Sequence, residues 1–146
     1  MDWLINLIFS FTASYFFAVL FDSPKRLFLP SGFVGAAAWM TSESLIKLLH
    51  FPQIYGYFFG SIILGVMCHM MARIYKEPSN LFMIPGIIPF VPGGLAYDAA
   101  MKMVMEQTSG PVEIILEITL LAGAIASGLL CSDYIFKLAV NKQFDE

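Results

Sequence analysis

The sequence predicts an all-α integral membrane protein of about five transmembrane helices, the fourth of them broken by a Pro/Gly motif. Three observations carry that prediction. Hydrophobic residues make up 58% of the chain and charged residues 13%, whereas soluble domains carry about 25% charged residues. The apolar residues fall in runs of roughly 20, the length a helix needs to cross the hydrocarbon core. One run breaks the pattern: "MIPGIIPFVPGG", Met83 to Gly94, places three prolines and three glycines among apolar residues.

The spans follow in order. The first, 3–21, is free of charge and carries Trp3 as an interfacial anchor. It ends at "FDSPKR", a turn-forming stretch with two cations. The second, 32–49, holds Glu43 and Lys47 near its far end, and His50-Phe51-Pro52 turns the chain into the third, 53–72. "RIYKEPSN" closes that span. The fourth, 81–96, contains the proline run; the amphipathic piece "YDAAMKMVMEQTSG" separates it from the fifth, 112–138. Residues 1–146 are expected to form a single transmembrane domain. The start "MDWLINLIFSF" has no basic region and no small-residue cleavage site before Phe21, so the first span is expected to stay in the mature protein.

Lysine and arginine in the connections set the orientation. Lys25 and Arg26 mark the first connection, Arg73 and Lys76 the third, and Lys137 and Lys142 the tail. The second has only the edge residue Lys47, and the fourth only Lys102. Five spans with the N-terminus outside and the C-terminus in the cytoplasm fit that alternation. A re-entrant hairpin at Met83–Gly94 would leave four spans and put the basic tail outside.

Irregular backbone at membrane depth is tolerated only where protein buries it or water reaches it. Pro85, Pro89 and Pro92 recur at spacings of four and three, so they are expected to share one face and free carbonyls along it. Discontinuous helices of this kind build midplane sites in transporters. A new helix can start after Pro92-Gly93-Gly94, and its N-terminal N–H groups would attract an anion. Tyr97 and Asp98 follow one turn later. The plain alternative is a kinked, well-packed helix.

Ionisable residues inside a membrane are costly, and therefore functional candidates. Glu43 and Lys47 stand at the favourable i,i+4 order for a self-neutralising pair. Glu113 and Glu117 share a face at the start of the fifth span; Glu117 is the better proton carrier, because burial and a like-charged neighbour both favour its protonated form. His69 is a further candidate, because histidine is the side chain suited to proton exchange near neutrality, although a lone histidine is more often a satisfied polar residue. Small residues at helix–helix spacing, Gly56, Gly60, Ser61 and Gly65 in the third span and Ala122 to Gly128 in the fifth, suit close packing within this chain or against another.

The ordered motifs resemble the threonine/serine exporter (ThrE-like) family in its small-subunit form. "IIPFVPGGLAYDAAM" is similar to that family's Pro-x-x-Pro-Gly break followed by tyrosine, with Pro89, Pro92, Gly93 and Tyr97 on the motif positions. "FDSPKR" before "SGFVGAAAW", and "ARIYKEP", match its upstream turns, so the anchors cover Phe21 to Met101. The resemblance implies a bacterial inner-membrane exporter of small amino acids or small carboxylates, driven by proton exchange. It also implies a partner, a larger subunit of the same family, whose module is not in this sequence. Taken with the reading of the residues, the expected substrate pathway runs by Pro89, Pro92, Gly93, Gly94, Tyr97 and Asp98, with Glu117, Glu43 and His69 as proton-coupling candidates. Pro85-Gly86 and Gly94-Leu95 depart from the family pattern and leave the solute open.

Other classes fit less well. The net charge of −3 offers no basic face for nucleic acid. Cys68 and Cys131 both lie in apolar stretches and read as reduced packing residues. Enzymatic chemistry is not expected, since no nucleophile–base set, HExxH spacing or phosphate loop is present; no cofactor or metal is called for. A metal-transporting subunit would use Met67, Cys68, His69, Met70 and Met71 or Met101, Met103 and Met105, but methionine is ordinary apolar filler. A non-transporting membrane scaffold, or a homo-oligomer built on the small-residue faces, are the remaining alternatives.

Overall fold

The computed structural model describes residues 2–105 and 111–142, and these form helices without a strand. The helices are α1 (Asp2–Leu20), α2 (Phe28–Leu48), α3 (Gln53–Tyr75), α4 (Asn80–Gly86), α5 (Gly93–Val104) and α6 (Pro111–Lys142). Short 3-10 turns lie at Lys25–Leu27 and Ile88–Phe90. Residues 106–110 of the fourth connection and the side chain of Lys142 fall outside what is described.

One device ends each of the first three helices. Asp22, His50 and Lys76 take left-handed backbone angles, with φ of 52°, 53° and 55°, and a proline follows two residues later at Pro24, Pro52 and Pro78. The left-handed residue reverses the chain, and the proline forbids the helix from continuing. The Ser23 N–H donates to the Ala18 carbonyl and the Glu77 N–H to the Ala72 carbonyl, both at 3.1 Å. These bonds satisfy terminal carbonyls and offset the strain.

α1, α2, α3 and α6 pack in a row, each against the next; α4 lies across α1, α2 and α3, and α5 lies on α6. The bundle is apolar outside, and small or polar residues line its helix seams around a core of Leu27, Val34, Leu64, Phe82, Phe90 and Leu121. On α1, Ser10, Ser14 and Ala18 are buried, whereas Leu4, Ile8, Phe9, Phe16 and Leu20 are exposed. That polarity is the reverse of a soluble helix, and it fits lipid, where close packing rather than apolar burial joins helices. Glycine supplies the closeness. A Cβ on Gly60 would lie 2.9 Å from both the Ser42 Cβ and the Phe90 ring, and one on Gly65 would lie 1.8 Å from Ser132 Oγ.

Among the described residues, α1, α3 and α6 are long and apolar enough to cross a membrane, and the bent pair Asn80–Phe90 and Gly93–Val104 makes up to four. The count of about five is therefore approximate. α2 has 21 residues, enough to span about 30 Å, but it lies between α1, α3 and α4. With Pro30, Ser31, Gly32, Gly35 and Ser42 all buried, much of it is screened by its neighbours and need not be strongly apolar, while Leu29 and Phe33 stay exposed. α6, with 32 residues, runs well past the expected 112–138 and is longer than a bilayer core.

Contacts along the seams fix the helix directions. Asn6 meets Glu43 and Tyr15 meets Phe28, so α1 and α2 are antiparallel. Gly56 meets Ile46 and Gly60 meets Ser42, so α2 and α3 are antiparallel too. Ser61 meets Gly128, Gly65 meets Ser132 and His69 meets Asp133: α3 and α6 are parallel. Two parallel helices need the chain between them to pass from one end of the bundle to the other. The broken segment lies in that chain, its two parts bent by 53°. Arg26 pairs with Glu77, which places the first and third connections at the same end.

Candidate functional site

The break is built in three steps. Pro85 lies inside α4, the backbone tightens into the Ile88–Phe90 turn, and Val91 is extended with φ −65° and ψ 119°. Pro92 then leads into α5, which starts at Gly93, two residues earlier than the restart expected after Pro92-Gly93-Gly94. Phe90 anchors the break. Its fully buried ring meets Trp39 edge-on at 5.6 Å and Tyr57 at 5.7 Å, and Trp39 and Tyr57 meet each other at 6.0 Å. Such edge-to-face contacts align the positive ring edge with the negative face.

The three prolines do not share a face, contrary to the expectation from their spacing. Pro85 is buried. Pro89 lines a groove of about 250 Å³ with Asn6, Phe9, Ser10, Ala13 and Trp39. Pro92 lines a second, apolar groove of about 340 Å³ with Ile87, Val91, Ala122, Ile125, Ala126 and Leu129. The helical period is lost once the backbone passes through a tighter turn and an extended residue, so spacing no longer reports direction.

The groove at Pro89 has a polar end. Asn6 Nδ2 donates to Glu43 Oε2 at 3.2 Å, and the same carboxylate pairs with Lys47. The Glu43 side chain is 14% exposed and Lys47 46%, so the carboxylate is held inside while the ammonium reaches out. Gln53 Nε2 donates to the Tyr57 hydroxyl at 3.3 Å at this same end. Ser14, Ser31 and Ser42 bring buried hydroxyls without a hydrogen-bond partner to α1 and α2.

The remaining sequence candidates lie elsewhere. Gly93 and Gly94 are open, with nothing within 4 Å of an added Cβ. Tyr97 and Asp98 are exposed on α5, and Glu113 and Glu117 on α6. None of these six lines the groove at Pro89. His69 sits at the opposite end of α3 from Gln53, with Nε2 2.6 Å from Asp133 Oδ1. Cys68 is buried while Met70 is 53% exposed, so the methionine–cysteine cluster does not converge, and both cysteines are free. Sequence reasoning missed Asn6, Trp39, Phe90 and Asp133. Asp133 had a signal: Ser61-x3-Gly65 on α3 and Gly128-x3-Ser132 on α6 are complementary, and the register they set carries on to His69 and Asp133.

A family model described as "Threonine/Serine exporter, ThrE" matches residues 6–135. An uncharacterized protein of Haemophilus influenzae is 23% identical over 137 residues, covering 94% of this chain and 46% of that protein. The chain thus spans about half the length of that curated relative. No solved structure matches. Members of the matched family are transporters, and the apolar helices are those of a multi-pass membrane protein. With a match over nearly its whole length, the chain belongs to the threonine/serine exporter (ThrE) family.

Proposed function

We propose that the chain is the small membrane component of an exporter for small amino acids such as threonine and serine, or for small carboxylates. In this reading it works with a larger membrane subunit and exchanges solute for protons. It sits in a bacterial cytoplasmic membrane with its N-terminus outside and its C-terminus in the cytoplasm. The observation that carries the reading is Pro89 of the broken span, which shares a groove with Asn6, whose amide donates to Glu43 behind it. An ammonium group suits Glu43 and a carboxylate suits Lys47, so a zwitterion matches both charges of that pair. Orientation rests on Lys25, Arg26, Arg73 and Lys76, which mark the two connections joined by Arg26 and Glu77. The relative's length, about twice that of this chain, supports a second membrane module.

The test is efflux of labelled threonine, serine and succinate from loaded cells carrying this chain, the larger subunit, or both. Flux from the pair alone is the expected result. Pro92→Ala with Gly93→Ala should straighten the break and abolish flux while the complex still assembles. A stable complex that moves none of these solutes would favour the scaffold reading.

A further inference from the structure

We propose that His69 and Asp133 together form a one-proton site at the end of the α3–α6 seam. The seam is closed by Ser61 against Gly128 and Ser132 against Gly65, and His69 follows Gly65 by one turn while Asp133 follows Ser132 directly, where the side chains are part-exposed. His69 Nε2 lies 2.6 Å from Asp133 Oδ1. The imidazole stacks on Phe136, with centroids 4.4 Å apart and planes 12° from parallel, which fixes its orientation. The Arg73 guanidinium lies 4.7 Å from the centre of the same Phe136 ring. The charged groups around His69 are therefore Asp133 from α6 and, by way of Phe136, Arg73 of its own helix; Lys137, one turn past Asp133, is exposed.

The chemistry follows from that geometry. With the imidazole neutral, Nε2–H donates to the carboxylate and Nδ1 is free to take a proton from water. Uptake on Nδ1 makes an imidazolium–carboxylate pair with no net charge; release from Nδ1 to water leaves one net negative charge. A net charge at the edge of the hydrocarbon is costly when dry and tolerated when wet. The side chains are 18% and 40% exposed, so a modest change in packing decides which condition holds. Proton occupancy is thereby tied to the hydration of the end of α6, the helix that also walls the groove at Pro92. The consequence for flux rests on the exporter reading; the existence of the site does not.

Two measurements separate these. In lipid nanodiscs, a His50→Gln chain labelled with 15N-histidine leaves His69 as the one imidazole. Its Nδ1 signal should change from the unprotonated to the protonated form between pH 8 and 5. Asp133→Asn, which keeps the side-chain shape, should move the midpoint by at least about half a pH unit, a threefold change in proton affinity. A midpoint that does not move overturns the site, as does an Nδ1 that fails to titrate. In the two-subunit efflux assay, His69→Gln and Asp133→Asn should each flatten the pH profile of flux while flux itself persists. An unchanged profile in both variants overturns the coupling. Absence of flux from the wild-type pair would count against the exporter reading alone, and the nanodisc titration would still decide the site.

Discussion

Gly35 and Gly86 bring α2 and α4 into backbone contact: a Cβ on Gly35 would lie 3.3 Å from the Gly86 Cα and 1.9 Å from Ser14 Oγ. Three helices meet at that point, and no side chain fits between them. Gly35→Ala is therefore expected to destabilise the bundle by about 1–3 kcal/mol, the usual cost of overpacking. Ser14→Gly removes the nearest atoms, so the double variant should recover most of the loss. Thermal unfolding in detergent measures both. An additive double variant would mean that Ser14 is not the obstruction.

A second contrast lies within α6. A Cβ on Gly128 would come 2.5 Å from the Phe58 carbonyl oxygen and 2.0 Å from Ser61 Oγ. The first of these is backbone and cannot swing aside, so Gly128→Ala must part α3 from α6. Gly123 has nothing within 4 Å. There, alanine gains about 1 kcal/mol of helix propensity at no steric cost. Melting temperatures should fall for Gly128→Ala and hold or rise for Gly123→Ala. Equal behaviour would contradict the α3–α6 register.

Phe90 is the pin of the broken segment. Truncating a fully buried aromatic ring typically costs about 3–5 kcal/mol, and here it also empties the space between Trp39 and Tyr57. Phe90→Ala should expose the break, seen as faster proteolysis or hydrogen exchange over 85–95 than over α3. Phe90→Leu, which keeps part of the volume, should fall between. Uniform destabilisation across all helices would show that the clasp holds the whole bundle and not the break.

Much of this was legible in the sequence, for physical reasons that differ by element. Apolar length reported α1, α3 and α6, because the bilayer sets a minimum run, and the proline turns reported the ends of α1, α2 and α3, because proline stops a helix whatever its neighbours. That a new helix restarts after Pro92 was legible for the same reason. α2 was predicted to start at Gly32 but begins at Phe28, since proline is tolerated in a first turn and Pro30 sits there. The direction of each proline was not legible, because a 3-10 turn and one extended residue erase the period. Pairs such as Asn6 with Glu43, or His69 with Asp133, are set by tertiary register. The small-residue spacing that fixes this register can be read only once it is known which helices are neighbours.

Glu43 gives the sharpest test of the groove. Its carboxylate takes the Asn6 hydrogen bond and the Lys47 charge, whereas Glu117 stands exposed on α6, away from α1. In Glu43→Gln the amide oxygen still accepts from Asn6, and the half-exposed Lys47 can extend to water, so the fold should tolerate the change. The loss is then confined to charge. If the groove receives the ammonium end of the solute, flux of threonine and serine should fall at least tenfold while flux of succinate, which has no ammonium, is spared. Asn6→Ala should lower both, because it frees the carboxylate to move out of register with Pro89. An equal loss of threonine and succinate flux in Glu43→Gln, with normal assembly, would remove Glu43 from solute recognition and leave it as a proton carrier or a structural partner of Lys47.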